Sequence, residues 1–549
     1  MFTLDDNDLP DIPGREDDRK IHGSKTNGSS VNIARKELMD KLKELQKTIG
    51  RDSKITIENF ENWGKTQRAV VLATHPETLS QLRKLIFAAR DMGLKVRCAG
   101  AKHSWAPIFA DSEQLLIYME RMRSDYPNTG KIHMVKGKDK TVDVHIMAGV
   151  STEEFKQFEL ENGINLPCNT LLTIVQTVGV IITGCHGVGK DCKCPCDYVV
   201  QMRIVDSNGQ LQTYARDTHG EEMMKAVTAN FGLFGVVYDL TLRLENKQTV
   251  VKTINDYFSV HHIFFTPGVM EGLAEHNWSL ELFWFPMNSL WPICEYSARN
   301  DEVWARIINK VEEGNYELLD EARYIKQKWW DRHFTELYHR SQALFKYPST
   351  FRTMQRIGFS ILKHIMYPRM EILYEKLTNA IHFRNYIENV SVNNMEFAFD
   401  LSEHQNYDLI RKACQLVIEE VENEHKMGRC PLNVVMEMRW MSHSDAYLCP
   451  ASIVKNKKAK DPKVVYLEIL SLGGTKGWED FCVVIGTKWM KLGGVPHLAK
   501  QWDFLPNIHS YVRKKFGSRF DSFKDLLKQS GADPDNMFLN SGLEKLLFP

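Results

Sequence analysis

The chain has 549 residues, 43% hydrophobic and 26% charged, too long for one ordinary domain and apolar enough to bury a large core. Its 70 basic and 70 acidic residues cancel, which removes the charge argument for nucleic acid as a partner. The start, Met1-Phe2-Thr3-Leu4-Asp5-Asp6, lacks the basic-then-apolar order of a secretory signal, and no run of about 20 apolar residues appears. Eleven cysteines cannot all pair, so reduced thiols and a cytoplasmic location are the expectation.

In chain order, the first thirty or so residues are polar and small and are expected to be disordered. A short amphipathic helix follows, with Leu38, Leu42 and Leu45 on one stripe and Gly50 as its stop, docked on the body. From Ala69 strand and helix patterns alternate. Val70–Ala73 reads as a strand, Pro76–Met92 as a helix and Leu94–Ala99 as a strand. Further strands are expected at Thr141–Ala148, Val178–Ile182, Val199–Val205 and Val236–Leu244. A helix-rich stretch carrying Trp304, Trp329 and Trp330 is expected from Asp301 to about Ile387. Strands return at Asn433–Trp440 and Val464–Leu470, and helices from Lys514 onward.

Three segments invite a chemical reading. Gly100-Ala101-Lys102-His103-Ser104-Trp105 follows a strand, and a glycine there permits a tight turn that presents the histidine. A presented imidazole serves as a base, a metal ligand or a nucleophile toward an electrophilic cofactor; taken alone, a loop histidine without a chemical role is the commoner case. The run from Val178 to Lys190 contains Gly179, Thr183, Gly184, His186, Gly187 and Gly189, a glycine-rich turn of the kind that brings backbone N–H groups to phosphate. Asp191 stands where a Walker loop needs Ser or Thr, and Pro195 and the glycine spacing exclude the Rossmann fingerprint. Gly232 to Leu240, with Gly235 and Val237, is a turn feeding a strand.

Together these segments resemble the flavin domain of the vanillyl-alcohol-oxidase fold, and more narrowly the aldonolactone oxidases. The resemblance extends through Phe60–Thr66, Phe283-Trp284-Phe285-Pro286, Glu437-Met438-Arg439-Trp440, Gly493–Lys500 and Met537–Asn540 with Leu543-Glu544-Lys545. It implies an α+β fold: an N-terminal extension over 1–50, a two-subdomain FAD-binding domain over 51–248 and a substrate or cap domain over 249–549. The C-terminal segment is expected to return to the flavin.

The cofactor implied is FAD, with its pyrophosphate against Gly100–Ser104 and Thr183–Gly189. Gly179, Gly235, Val237, His497 and Lys500 are counted among the residues that hold it. His103 matches the histidine that bonds the flavin covalently in many members. Lys102 departs from the glycine usual before it, and Leu171, Leu172 and Thr173 stand where doubly linked relatives carry a cysteine. Lys500 matches a lysine placed to stabilise the reduced ring, with Leu498 replacing an aromatic neighbour.

Residues two apart in a strand share a face, so Glu437 and Arg439 lie together opposite Val434, Met436, Met438 and Trp440. A solvated ion pair is the bland interpretation; with the resemblance, a substrate clamp is preferred. Cys185, Cys192, Cys194 and Cys196 cluster with His186, but Cys-x-Cys-x-Cys does not match zinc spacings, so reduced thiols and no metal are expected. Phe351–Met370 reads as a cap helix packing its apolar face inward, with peripheral membrane contact as the minor alternative.

The function expected is hydride transfer from a small hydroxyl substrate, a sugar 1,4-lactone first, to FAD and then electron transfer to O2, giving peroxide. Glu437, Arg439 and Lys500 would carry the chemistry. A dehydrogenase, an oxidase of a non-lactone alcohol or amine, and a flavin-retaining protein without turnover stay open.

Overall fold

In the computed structural model, residues 28–51, 53–126, 129–289, 296–312, 347–382, 391–402, 406–454 and 463–548 are described, with isolated positions between 313 and 346. Trp330 and the first 27 residues fall outside the described residues. Among those described, no helix is long and apolar enough to cross a membrane.

The N-terminal helix, Gly28–Ile49, is longer than the leucine stripe alone suggested. Leu38, Leu42, Leu45 and Ile49 are buried against the body, and Gly50 ends the helix at a φ of 73°. The first sheet follows: β1 (Ile55–Glu61), β2 (Arg68–Thr74), β3 (Val96–Ala99) and β4 (Leu115–Tyr118), in the order β1-β2-β4-β3. The helix Leu79–Asp91 joins β2 to β3. Thr78 and Gln81 form a capping box at its start, and Leu82, Leu85 and Ile86 are buried on its inner face.

The second sheet is antiparallel: β5 (Ile132–Lys138), β6 (Thr141–Met147), β7 (Val199–Val205), β8 (Leu211–Ala215) and β9 (Val236–Glu245), ordered β5-β6-β9-β7-β8. Between β6 and β7 the structure corrects one expectation. Val178–Ile182 is not a strand but part of a helix, Thr177–Ile182. A six-residue apolar run does not separate a buried helix from a strand by periodicity, and the local hydrogen bonds decide. Val180 N–H donates to Gln176 O, and both the Thr183 N–H and its Oγ1–H donate to Gly179 O.

The third sheet has eight antiparallel strands: β10 (Val250–Ser259), β11 (Ser279–Trp284), β12 (Glu302–Val311), β13 (Glu371–Lys376), β14 (Val392–Asp400), β15 (Val435–Ser442), β16 (Lys463–Leu472) and β17 (Val495–Pro496). Their order is β13-β10-β12-β11-β15-β16-β14-β17. The stretch expected to be helix-rich therefore opens on a strand, β12, and contains another, β13. Trp304, Ile307 and Ile308 are buried on both faces of β12, so the period-2 alternation that marks a half-exposed strand is missing. The helix Pro348–Ile361 follows as expected, with Phe351, Gln355, Gly358 and Phe359 turned inward, while Ile357 and Ile365 are exposed.

The C-terminal segment returns to the first sheet. Val96 N–H donates to Met537 O at 2.9 Å, and the Arg97 guanidinium reaches the carbonyls of Ile108, Phe538 and Phe231 at 2.9, 2.7 and 2.6 Å. Burial pulls Arg97 down to about 10, and these three carbonyls complete its environment. It pins the turn after β3 to the end of the chain.

Candidate flavin and substrate site

A cavity of about 410 Å³ lies where the three sheets meet, within the range of small-molecule sites. Its walls include Gly100–Trp105 after β3, Gly179 and Thr183 from the short helix, and Gly235 and Val237 at the start of β9. From the third sheet come Glu437, Arg439, Glu468 and Asn394, with Lys500 beside them.

The turn after β3 is built for close approach. A Cβ at Gly100 would lie 2.3 Å from Gln176 Oε1, so glycine lets the Gln176 amide pack directly against the turn. Lys102 adopts a φ of 62°, the left-handed conformation glycine takes at no cost and a lysine only at about 1–2 kcal/mol. Its ammonium leaves the turn, meeting Glu58 Oε1 at 3.0 Å and lying over the rings of Phe60 and Tyr118. The turn therefore survives the departure from glycine. Among the described residues, the backbone N–H groups of Ala101 to Ser104 donate to no protein acceptor, leaving them for an anionic ligand.

His103 stacks on Trp63 at 4.6 Å. Burial, with Lys500 adding to it, lowers its pKa to about 4, so the ring is neutral, and its Nδ1 has no partner. Gln176 Oε1, Asn394 Oδ1 and Glu437 Oε1 are likewise buried without a hydrogen-bond partner on cavity-lining residues. A buried polar atom left unpaired is costly. These open groups, with the unpaired turn, fit a long polar ligand such as FAD.

The second glycine-rich loop plays a different part from the one expected. Thr183 and Cys185 reach the cavity, but Gly184, His186, Gly187, Gly189 and His497 lie behind its wall. A Cβ on Gly187 would be 2.0 Å from Asn169 O, and one on Gly189 2.6 Å from the Trp278 ring. These glycines permit close protein-to-protein packing. His186 stacks on Tyr466 at 3.6 Å, and its Nε2 is 2.7 Å from Glu396. His497 is buried, which lowers its pKa to about 4.

Glu437 and Arg439 do share a face, and it is buried wall, not solvated surface. Arg439 Nε is 2.7 Å from Glu437 Oε1 without hydrogen-bond alignment, and its Nη2–H donates to Glu468 Oε2 at 2.9 Å. Lys500 Nζ donates to Glu468 Oε1 at 2.6 Å and lies 3.8 Å from Glu396. The network thus runs Glu437–Arg439–Glu468–Lys500–Glu396–His186.

Sequence reading missed Glu396 and Glu468. Each is a carboxylate with apolar residues on both sides, Met395-Glu396-Phe397 and Leu467-Glu468-Ile469, a pattern that marks a buried partnered charge.

Charge in this network is unevenly borne. Lys500 and Arg439 stay cationic because their carboxylate neighbours outweigh burial. Glu396 and Glu468 are held below the ordinary carboxyl range, by His186 and Lys500 and by Lys500 and Arg439, against the opposing effect of burial. Glu437 goes the other way. Burial pushes it up to about 8, helped by Glu468, Glu281 and Glu396 against Arg439. It stays protonated in the fold where an ordinary carboxyl near 4.5 has ionised, so its contribution to stability falls as pH rises from about 4.5 to about 8. If Glu437 is the proton acceptor, kcat/KM should rise with pH through about 8. A pH–rate profile for wild type and Glu437→Gln checks this; a rise that persists in the variant assigns it to another group.

Of the four clustered cysteines, Cys185 alone lines the cavity; Cys192, Cys194 and Cys196 are not among its lining residues. Cys194 Sγ is 3.6 Å from Cys449 Sγ, and both are buried. Among the described residues no group of three or more His, Cys, Asp or Glu is arranged to hold a metal ion. Leu171 and Leu172 line the cavity.

Comparison with known proteins agrees with this arrangement. Residues 67–215 match the FAD binding domain and residues 270–546 the D-arabinono-1,4-lactone oxidase model. L-gulonolactone oxidase of Mus musculus is 21% identical over 506 residues, covering 89% of this chain and 98% of the relative. D-arabinono-1,4-lactone oxidase of Debaryomyces hansenii is 25% identical over 214 residues, and that match spans 38% of the relative's length. Cholesterol oxidase from Brevibacterium sterolicum shares the fold with a TM-score of 0.72 at 16% identity, over 91% of this chain and 98% of that one. With the second model covering more than half of its length, the chain belongs to the D-arabinono-1,4-lactone oxidase family of FAD-dependent oxidoreductases.

Proposed function

We propose that this chain oxidises a ring hydroxyl of a small lactone of the aldono-1,4-lactone type and passes the electrons to O2, forming hydrogen peroxide. The observation that carries this reading is the Glu437–Arg439–Glu468–Lys500 network, charged, buried and opening on the same cavity as the turn at Gly100–Ser104. FAD, when bound, supplies the hydride acceptor and the two-electron route to oxygen.

The protein's own residues orient and polarise. Ala101 to Ser104 would hold the pyrophosphate through backbone N–H groups, with Gly179, Thr183, Gly235 and Val237 along the rest of the cofactor. Arg439 donates to the substrate hydroxyl oxygen and fixes the bond to be broken. Glu437, beside Arg439 and ionised above about pH 8, takes the hydroxyl proton. Lys500 keeps a fixed positive charge at the wall, favouring negative charge that develops beside it.

Covalent attachment through His103 belongs to the same proposal. A neutral ring with an unpaired Nδ1 is the nucleophilic form of histidine that such an attachment would require. Acid precipitation should leave the yellow colour in the wild-type pellet and release it from His103→Ala. Colour in the wild-type supernatant would mean that the cofactor is held without a bond.

The experiment that tests the reaction is peroxide release across gulono-, galactono- and arabinono-1,4-lactones, polyols and aromatic alcohols. Peroxide formed in step with lactone consumption is expected. Peroxide from polyols or aromatic alcohols alone would remove the lactone and keep the flavin chemistry.

A further inference from the structure

The face of the third sheet that meets the cavity changes character along its strands. Strand register places Trp304, Phe283, Glu437, Glu468 and Glu396 in one row across β12, β11, β15, β16 and β14. Two residues toward one end lie Arg306, Glu281 and Arg439. Two residues toward the other end, the row becomes Val435, Leu470 and Asn394. The charged clamp therefore has a shelf beside it that is apolar at Val435 and Leu470 and ends on Asn394.

A lid closes that shelf. The helix Pro348–Ile361 and the turn that follows bring Phe359 and Leu362 to the cavity, where they join Phe283, Phe285, Trp304 and Val435. Phe359 lies 5.3 Å from the Tyr257 ring and 5.8 Å from Phe285, and Phe283 stacks on Trp304 at 4.8 Å.

Apart from Asn394 Oδ1 at the edge of the shelf, which has no hydrogen-bond partner, the donors here are taken up by protein. Trp304 Nε1–H donates to Asn255, the Tyr257 hydroxyl to Tyr367 O, and the Gln355 amide to Val434 O. A hydroxylated side chain placed here would exchange hydrogen bonds with water for contacts with carbon, whereas an alkyl or aryl group gains by leaving water.

Resting on the hydroxyl-oxidation reading above, we propose that the substrate is an amphipathic hydroxy-lactone. Its ring hydroxyl meets Glu437 and Arg439, and an apolar alkyl or aryl substituent fills the recess under Phe359 and Leu362. The reaction itself is unchanged: the ring carbon loses hydride and its hydroxyl a proton, and the carbon becomes a carbonyl. Phe359 is then a specificity-determining residue.

The test uses the flavin-loaded enzyme and two 1,4-lactones with the same hydroxylated ring, one carrying a hydroxylated side chain and one a phenyl or butyl group. Binding is read by calorimetry on enzyme whose flavin has been reduced beforehand and kept without oxygen, where hydride has no acceptor, so it does not depend on turnover. The apolar-substituted lactone should bind about tenfold more tightly or better. Phe359→Asn should erase that preference and Phe359→Leu should keep it, the second variant guarding against misfolding in the first. Equal affinities in wild type, tighter binding of the hydroxylated lactone, or a preference untouched by Phe359→Asn would overturn the inference. Turnover is scored separately. Preferential binding without oxidation would count against the reaction proposed above and leave the shape of the recess standing.

Discussion

Arg439→Lys is expected to lower turnover by about a hundredfold or more while leaving flavin in place. The guanidinium reaches two carboxylates at once, with Nε near Glu437 at 2.7 Å and Nη2 on Glu468 at 2.9 Å. An ammonium on a flexible stem keeps the charge but cannot hold both directions. Flavin content should not change, because the turn at Ala101–Ser104 is separate from β15. Arg439→Ala is the harsher variant. It leaves Glu437 and Glu468 buried without their shared cation, a defect of about 3–5 kcal/mol, so its loss of activity mixes with instability. Steady-state kinetics beside flavin absorbance and Tm separate the two. Wild-type turnover in Arg439→Lys would return the pair to a structural role.

Lys500→Met should have an effect of similar size. Its ammonium sits between Glu468 at 2.6 Å and Glu396 at 3.8 Å, over the Trp105 ring at 4.8 Å. Removing it takes away a fixed cation that acts on His103 and leaves two carboxylates short of a partner. Flavin reduction should slow by about a hundredfold.

Stability should respond in a direction that pH reveals. Glu396 and Glu468 are held below the ordinary carboxyl range, Lys500 contributing to both. The stabilisation they bring is present above the unfolded carboxyl pKa and is lost as pH falls through the folded one. The Tm gap between wild type and Lys500→Met should therefore be widest near neutrality and shrink on acidification below about pH 4.5. A gap that does not change with pH would mean that packing, not charge, is what Lys500 provides.

Local pattern carried much of the site, and long-range pairing carried the rest. β7 lies at Val199–Val205 as its apolar run indicated, and strand parity put Glu437 and Arg439 on one face. Parity does not say what that face meets. β16 lies beside β15 in the sheet and brings Glu468 opposite Glu437, an arrangement set by topology that no window of sequence contains. Glu396 arrives from β14 by the same route. The glycines of the second loop misled for a related reason. A glycine needed against Asn169 or Trp278 looks, in sequence, like one needed against phosphate.

The measurement that bears most directly on the account is anaerobic mixing of the flavin-loaded protein with hydroxy-1,4-lactones, followed by admission of oxygen. The flavin's visible absorption should bleach with lactone, recover with oxygen and release one peroxide for each flavin reoxidised. Arg439→Lys should bleach about a hundredfold more slowly. A spectrum that no hydroxy-lactone bleaches, in protein carrying its full complement of flavin, would contradict the assignment of Glu437, Arg439 and Lys500 to lactone oxidation.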